Sequence, residues 1–152
     1  MDGVAVAREL ALTLERALGA RCRGIALFGS WARGDARADS DVDLLLVAEA
    51  LATDPFARAA ELGRPLAARL EPVNLLARTP DEFEADVTPL HLDLALDAKV
   101  LYERDRYLSD KLALVRRRIE EAGLWRDSGL FWRWHRVPTV TNWAIHWDGV
   151  RV

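Results

Sequence analysis

Val6, Leu10, Leu14 and Leu18 recur every four residues, with Arg8, Glu9, Glu15 and Arg16 between them. That period predicts an amphipathic helix from about Asp2 to Leu18, stopped near Gly19. Gly24–Phe28 is a short apolar run closed by Gly29-Ser30 and reads as a buried strand. Residues 31–40 are polar and turn-rich. Asp41–Val47 reads as a second strand, apolar on both faces except at its start. Asp54-Pro55 pairs a cap residue with proline at the first helical position and opens a second helix. That helix carries Phe56, Ala59, Ala60, Leu62, Leu66 and Leu70 on or near one face, with Gly63 and Pro65 as irregularities. Val73–Ala77 predicts a third strand. Thr79-Pro80-Asp81-Glu82 is a capping box that starts a helix through about Asp86, and Thr88-Pro89 starts another through about Leu96.

Lys99–Tyr102 predicts a short strand. Over residues 107–122, Leu108, Leu112, Val115 and Ile119 line one helical stripe, with Arg116, Arg117 and Arg118 mostly off it and Gly123 as its stop. Aromatic and polar residues then alternate. Phe131, Arg133 and His135 share one face and Trp132 and Trp134 the other, until Pro138 interrupts. Trp143, Ile145 and Trp147 alternate again with Asn142, His146 and Asp148. The pattern predicts a β-hairpin or two short strands.

The 152 residues suit one domain, and 51% hydrophobic with 30% charged residues excludes disorder as the main state. No apolar run approaches the roughly 20 residues of a membrane span, and Met1-Asp2-Gly3 lacks a signal-peptide pattern. Cys22 is the single cysteine, so no internal disulfide forms. A cytoplasmic protein is expected. The net charge of −3 argues against a generic nucleic-acid coat. It hides an asymmetry: residues 1–102 carry 17 acidic and 11 basic groups, residues 103–152 carry 7 and 10. Tryptophan follows the same divide, since Trp31 stands alone while Trp125, Trp132, Trp134, Trp143 and Trp147 fall in the last 28 residues.

The chemistry concentrates between Leu27 and Leu44. A strand ending in Gly29-Ser30 and turning into a helix points free backbone N–H groups and a positive helix end at one spot, which suits a phosphate. Ten residues separate Ser30 from Asp41-Val42-Asp43. On a strand, Asp41 and Asp43 project from the same face, roughly 7 Å apart. Two acids held together at the start of a buried strand call for a counter-charge, and Mg²⁺ with its preference for oxygen ligands provides one. Phosphates beside a divalent cation make a nucleoside triphosphate site, and metal-assisted transfer from the α-phosphate is the chemistry it supports.

The pattern Gly29-Ser30, ten residues, Asp41-x-Asp43 resembles the signature of the DNA polymerase β-like nucleotidyltransferase superfamily. Arg33-Gly34 and Ser40 match the filling of that gap in its minimal nucleotidyltransferases. The resemblance covers about residues 1–102, including Thr79–Phe83 and Val100–Glu103. It implies an α+β fold of the α/β type, a mixed sheet flanked by helices. It implies that Gly29 and Ser30 hold the triphosphate, with Arg33 and Ser40 in support, and that Asp41 and Asp43 are the catalytic, Mg²⁺-binding pair. Active members of the family usually carry a third carboxylate on the next strand. Asn74 occupies that place here, and an amide carries no charge and is no base. Glu71, facing the other side of a regular strand, and Asp93 are the remaining acidic candidates. Residues 1–102 are then a catalytic core, and 103–152 a helix and tryptophan-rich extension packed on it.

The implied activity is transfer of a nucleoside monophosphate, AMP from ATP, to a hydroxyl acceptor with release of pyrophosphate. Small members of the family pair with helical HEPN toxins as antitoxins, which makes a tyrosine of such a partner one acceptor. A small molecule such as an aminoglycoside is another, though the chain is short for it. A different reading is a binding module that holds nucleotide or partner without turnover. An RNA-modifying transferase is a third, disfavoured by the acidic first 102 residues. His91, His135 and His146 have no metal-ligand spacing. The late tryptophans read as a cover over the sheet or as a protein-binding surface; stacking of single-stranded nucleic acid has no other support in the sequence.

Overall fold

The computed structural model describes residues 1–137 and 143–151. Pro138 and Asn142, named above in the alternating tail, lie outside the described residues. The first helix, α1 (Gly3–Leu18), is capped by Asp2, whose carboxylate accepts from the N–H groups of Val4 and Ala5. After a short turn come β1 (Cys22–Phe28), the one-turn helix α2 (Gly29–Arg33) and β2 (Val42–Ala48). Then follow α3 (Pro55–Leu66), β3 (Val73–Arg78), α4 (Pro80–Glu84), α5 (Pro89–Asp97), β4 (Lys99–Glu103) and α6 (Tyr107–Ala122). The chain finishes with four three-residue strands, β5 (Leu124–Arg126), β6 (Trp132–Trp134), β7 (Ala144–His146) and β8 (Gly149–Arg151).

Strands β1 to β4 form one mixed sheet in the order β3-β2-β1-β4. β1 runs antiparallel to both β2 and β4, and β2 runs parallel to β3, with α3 in the crossover between them. Side-chain alternation sorts the sheet into two faces. Ile25, Leu27, Val42, Leu44 and Leu46 pack with Ala7, Leu10 and Leu14 of α1. Ala26, Leu45 and Val47 pack with Phe83 of α4, Leu94 of α5 and Leu108 and Leu112 of α6. Both inner strands are buried on two sides, which is why they read as continuous apolar runs. Gly24 lets α6 come close, since a Cβ there would stand 2.6 Å from Leu108.

Two expectations need correction. The first concerns α3. Of its expected apolar face only Leu62 is buried; Phe56 is 86% and Leu70 97% exposed, and Ala59 and Ala60 are exposed as well. Pro65 has no N–H to give the helix, which ends at Leu66, so Leu70 lies outside it. α3 packs on α1 and stands next to β3, the edge of the sheet, so much of its surface has no neighbour. A groove of about 720 Å³ results, lined among others by Arg58, Leu62, Leu66, Val73, Leu75 and Glu82. Its rim is held by Arg58, which gives two hydrogen bonds to the Glu82 carboxylate, at 2.7 and 2.8 Å. Those bonds hold the Glu82 carboxyl down at about 2.

The second concerns the tail, where the alternative of two short strands holds and that of a single hairpin does not. β6 pairs with β5, not with β7, and β7 pairs with β8. Two turns decide this. The Asp127 carboxylate accepts from the N–H groups of Gly129 and Phe131 and folds β6 back on β5. Trp147-Asp148 is the two-residue turn that joins β7 to β8, with Gly149 opening β8 opposite His146. Trp132, Trp134 and Trp143 pack half-buried beside Leu92, Val115, Ile119 and Ile145 and cover α5 and α6, while Trp147 also joins the cluster of Phe83 on the second face of the sheet. Arg126 fastens β5 to α5: it bonds both oxygens of Asp97 at 2.6 and 2.7 Å and Asp93 at 3.0 Å. Trp132 adds an indole hydrogen bond to Asp93.

Candidate active site

The Gly29-Ser30 turn and the start of β2 meet because β1 and β2 pair in register Phe28↔Asp43. Gly29 adopts φ +69°, and a Cβ on it would stand 2.1 Å from Asp43 Oδ2. No side chain fits there, so the glycine is what lets the turn and the carboxylate approach this closely. On the other flank β3 pairs with β2 in register Asp43↔Asn74, and Asn74 Nδ2 donates to Asp43 Oδ1 at 3.0 Å. One oxygen of Asp43 therefore faces the turn and the other faces the amide. Asp43 lies on the same side of the sheet as Leu45 and Val47, the side of α4 to α6. Asp41 stands two residues earlier, exposed, just outside β2.

The loop between α2 and β2 is tied from within. Ser40 Oγ accepts from the Arg37 N–H at 2.8 Å, and the Ser40 carbonyl accepts from the Trp31 indole at 3.2 Å. Arg33 donates to Asp35 at 3.1 Å, two residues along the chain. Trp31 is a residue whose part the sequence reading missed. It sits between the phosphate-type turn and the residue before Asp41, and its ring packs on Gly3 of α1. The signal was its place between Ser30 and Arg33, with an indole N–H that needs an acceptor when half-buried.

The remaining acidic candidates fall elsewhere. Glu71 lines the α3 groove with Val73 and Leu75, away from Asn74, and accepts from the Leu70 N–H. Asp93 belongs to the Arg126 clasp. His91 is buried and serves α5: Nδ1 accepts from Thr88 while Nε2–H donates to the Phe83 carbonyl at 2.7 Å. Burial lowers its pKa, which keeps it neutral. Cys22 is fully buried and burial pushes its thiol up to about 11, so it is inert as a nucleophile.

Mg²⁺ can be tested against this geometry. Among the described residues no arginine or lysine pairs with Asp41 or Asp43. No cluster of three His, Cys, Asp or Glu side chains is found among them either. Two carboxylates without a protein cation fit Mg²⁺, which binds through one or two carboxylates and completes its shell with phosphate and water. α2 is a single turn, so its dipole is slight; what it offers an anion is the backbone N–H groups that no helical carbonyl takes.

A mixed four-stranded sheet with a glycine turn set against acids on the neighbouring strand is the polymerase β-like nucleotidyltransferase fold. Residues 9–123 match the family described as nucleotidyltransferase domain, and the chain belongs to that family. It is similar to a solved structure described as a toxin–antitoxin with AMP-PNP, with 22% identity over 75% of this chain and 90% of that one, at a TM-score of 0.51. It is also similar to a mutant of the toxin–antitoxin pair MntA–HpeT, with 20% identity over 75% and 90%, at a TM-score of 0.50. A third is a complex of tri-AMPylated HEPN toxin with MNT antitoxin from Shewanella oneidensis, with 18% identity over 80% and 92%, at 0.45. No curated protein matches the chain. Among the described residues no helix is long and apolar enough to cross a membrane.

Proposed function

We propose that this nucleotidyltransferase moves AMP from ATP to a hydroxyl of a protein partner, in the manner of an antitoxin that modifies its toxin. The acceptor oxygen bonds to the α-phosphorus, the bond from that phosphorus to the bridging oxygen breaks, and pyrophosphate leaves. The acceptor proton passes to solvent. Gly29 lets the backbone approach the phosphates and the Ser30 hydroxyl donates to them. Arg33, braced by Asp35, brings positive charge beside the turn, and Ser40 keeps the loop in shape. Asp41 and Asp43 would hold Mg²⁺, which when bound neutralises the charge on the phosphates and the leaving group. In this reading residues 1–102 form the catalytic core and 103–152 a packed extension, and the protein works in the cytoplasm.

The observation that carries the reading is the Asp43 carboxylate seated against Gly29 with no paired side-chain cation among the described residues. The acceptor class follows from Asn74. An amide removes no proton, so a phenol, with an ordinary pKa of about 10, suits the site better than the alcohol of an aminoglycoside. A tyrosine of a HEPN toxin fits that chemistry, and toxin–antitoxin complexes, one of them with AMP-PNP, are among the similar structures. The test is incubation with labelled ATP, Mg²⁺ and lysate from the protein's own source. Label should appear on one protein and vanish in Asp41→Ala plus Asp43→Ala.

Asn74 also favours a second reading, a module that holds nucleotide and partner without turnover. Calorimetry that finds MgATP binding while no acceptor is labelled selects that reading. An absence of nucleotide binding overturns both.

A further inference from the structure

We propose that this site takes one divalent cation per bound nucleotide, and that Asn74 sets that number. The proposal rests on the reading above, in which Asp41 and Asp43 face a nucleoside triphosphate.

Asp41 and Asp43 are the only protein carboxylates the described residues bring to this spot, enough to hold one divalent cation together with phosphate oxygens and water. A second cation in the same site needs a further carboxylate within reach of Asp43, and residue 74 is where the register puts it, directly beside Asp43 on β3. Asn74 is neutral, and it turns its N–H₂ end toward Asp43 Oδ1 at 3.0 Å. A cation between the two residues would meet amide hydrogens. Rotating the amide to present its oxygen sets two acceptors against each other and gives up the hydrogen bond.

No other described side chain takes over. Glu71 opens into the α3 groove, Asp93 is held by Arg126 and Trp132, and no third acidic, histidine or cysteine side chain joins the pair. Asn74 itself is exposed, so its neutrality is not imposed by packing. A carboxylate at 74 is compatible with the fold.

The test counts bound metal rather than product. The full chain is dialysed to equilibrium with Mn²⁺ and an ATP analogue whose α,β-bridge is methylene, and protein-bound Mn²⁺ and analogue are measured. The wild type should hold one Mn²⁺ per bound analogue. Asn74→Asp should rise twofold, to two, and Asn74→Ala should stay at one. Melting curves check that both variants are folded. Two Mn²⁺ in the wild type overturn the proposal and leave the nucleotidyltransferase reading standing. One Mn²⁺ in Asn74→Asp overturns the role of Asn74. Analogue bound without Mn²⁺ overturns the metal assignment. No bound analogue overturns the underlying reading of the site.

Discussion

Two pairs of aspartates stand in this molecule in opposite conditions. Asp93 and Asp97 lie one turn apart on α5 and share a guanidinium: Arg126 reaches both, and its side chain and that of Asp97 are only 12% and 11% exposed. Asp41 and Asp43 lie at the mouth of β2 with an amide, a glycine turn and solvent around them. Each pair is close in sequence, and neither spacing alone tells them apart. What separates them is where the balancing cation comes from. The α5 pair has it built in from thirty residues downstream and serves to fasten the tail. The β2 pair has no such built-in partner among the described residues.

Exchanging the properties of the two pairs should break this contrast. Asp41→Asn plus Asp43→Asn should abolish nucleotide transfer in the labelling assay while shifting stability by less than about 1 kcal/mol, since Asp41 is exposed and half-buried Asp43 can keep its Asn74 hydrogen bond through the amide oxygen. A large loss of melting temperature would mean that these acids are structural. Arg126→Ala should do the reverse. It leaves two acids facing each other and should cost about 3 kcal/mol in urea denaturation, the lower end for a broken buried pair because Asp93 still reaches water. Transfer by the folded fraction should be unchanged.

Glu82 is an intermediate case that sharpens the comparison. Arg58 holds its folded pKa at about 2, below the ordinary 4.5. The stabilisation is complete above pH 4.5 and is lost as pH falls from there toward 2. With the Glu82 side chain 37% exposed, the effect should stay below about 1 kcal/mol. The urea midpoint of Glu82→Gln should fall less over that window than that of the wild type. Smallest of all, Asp110→Asn should change stability by under about 0.5 kcal/mol, since the Arg106–Asp110 pair is 74% and 69% exposed. A larger change in thermal melting would contradict the view that only enclosed pairs matter here.

Much of this was legible in the residues themselves. The four-residue period of α1, the double-sided apolar runs of β1 and β2 and the Thr79–Glu82 capping box all have local causes, and local causes are written locally. Asp43 beside Gly29 was legible because the ten residues between Ser30 and Asp41 form one short helical turn and one loop between paired strands. What escaped depends on contacts between distant segments. Nothing near Phe56 or Leu70 says that α3 flanks an edge strand. Nothing near Asp93 says that Arg126 will reach it. The tail was legible as strands but not as pairs: alternation marks strands and not partners, and the turns at Asp127 and at Trp147-Asp148 carried the pairing.

Gly3 has an obligation that its position does not advertise. Alanine in a helix is ordinarily better than glycine by roughly 1 kcal/mol, so a stabilising redesign of α1 would replace it first. Here a Cβ at position 3 would stand 2.3 Å from the Trp31 ring. That ring is the one whose indole holds the carbonyl next to Asp41. The sign of the usual substitution is thereby reversed, and the chain's third residue is tied, by mechanical linkage, to the loop that carries Asp41, some forty positions later.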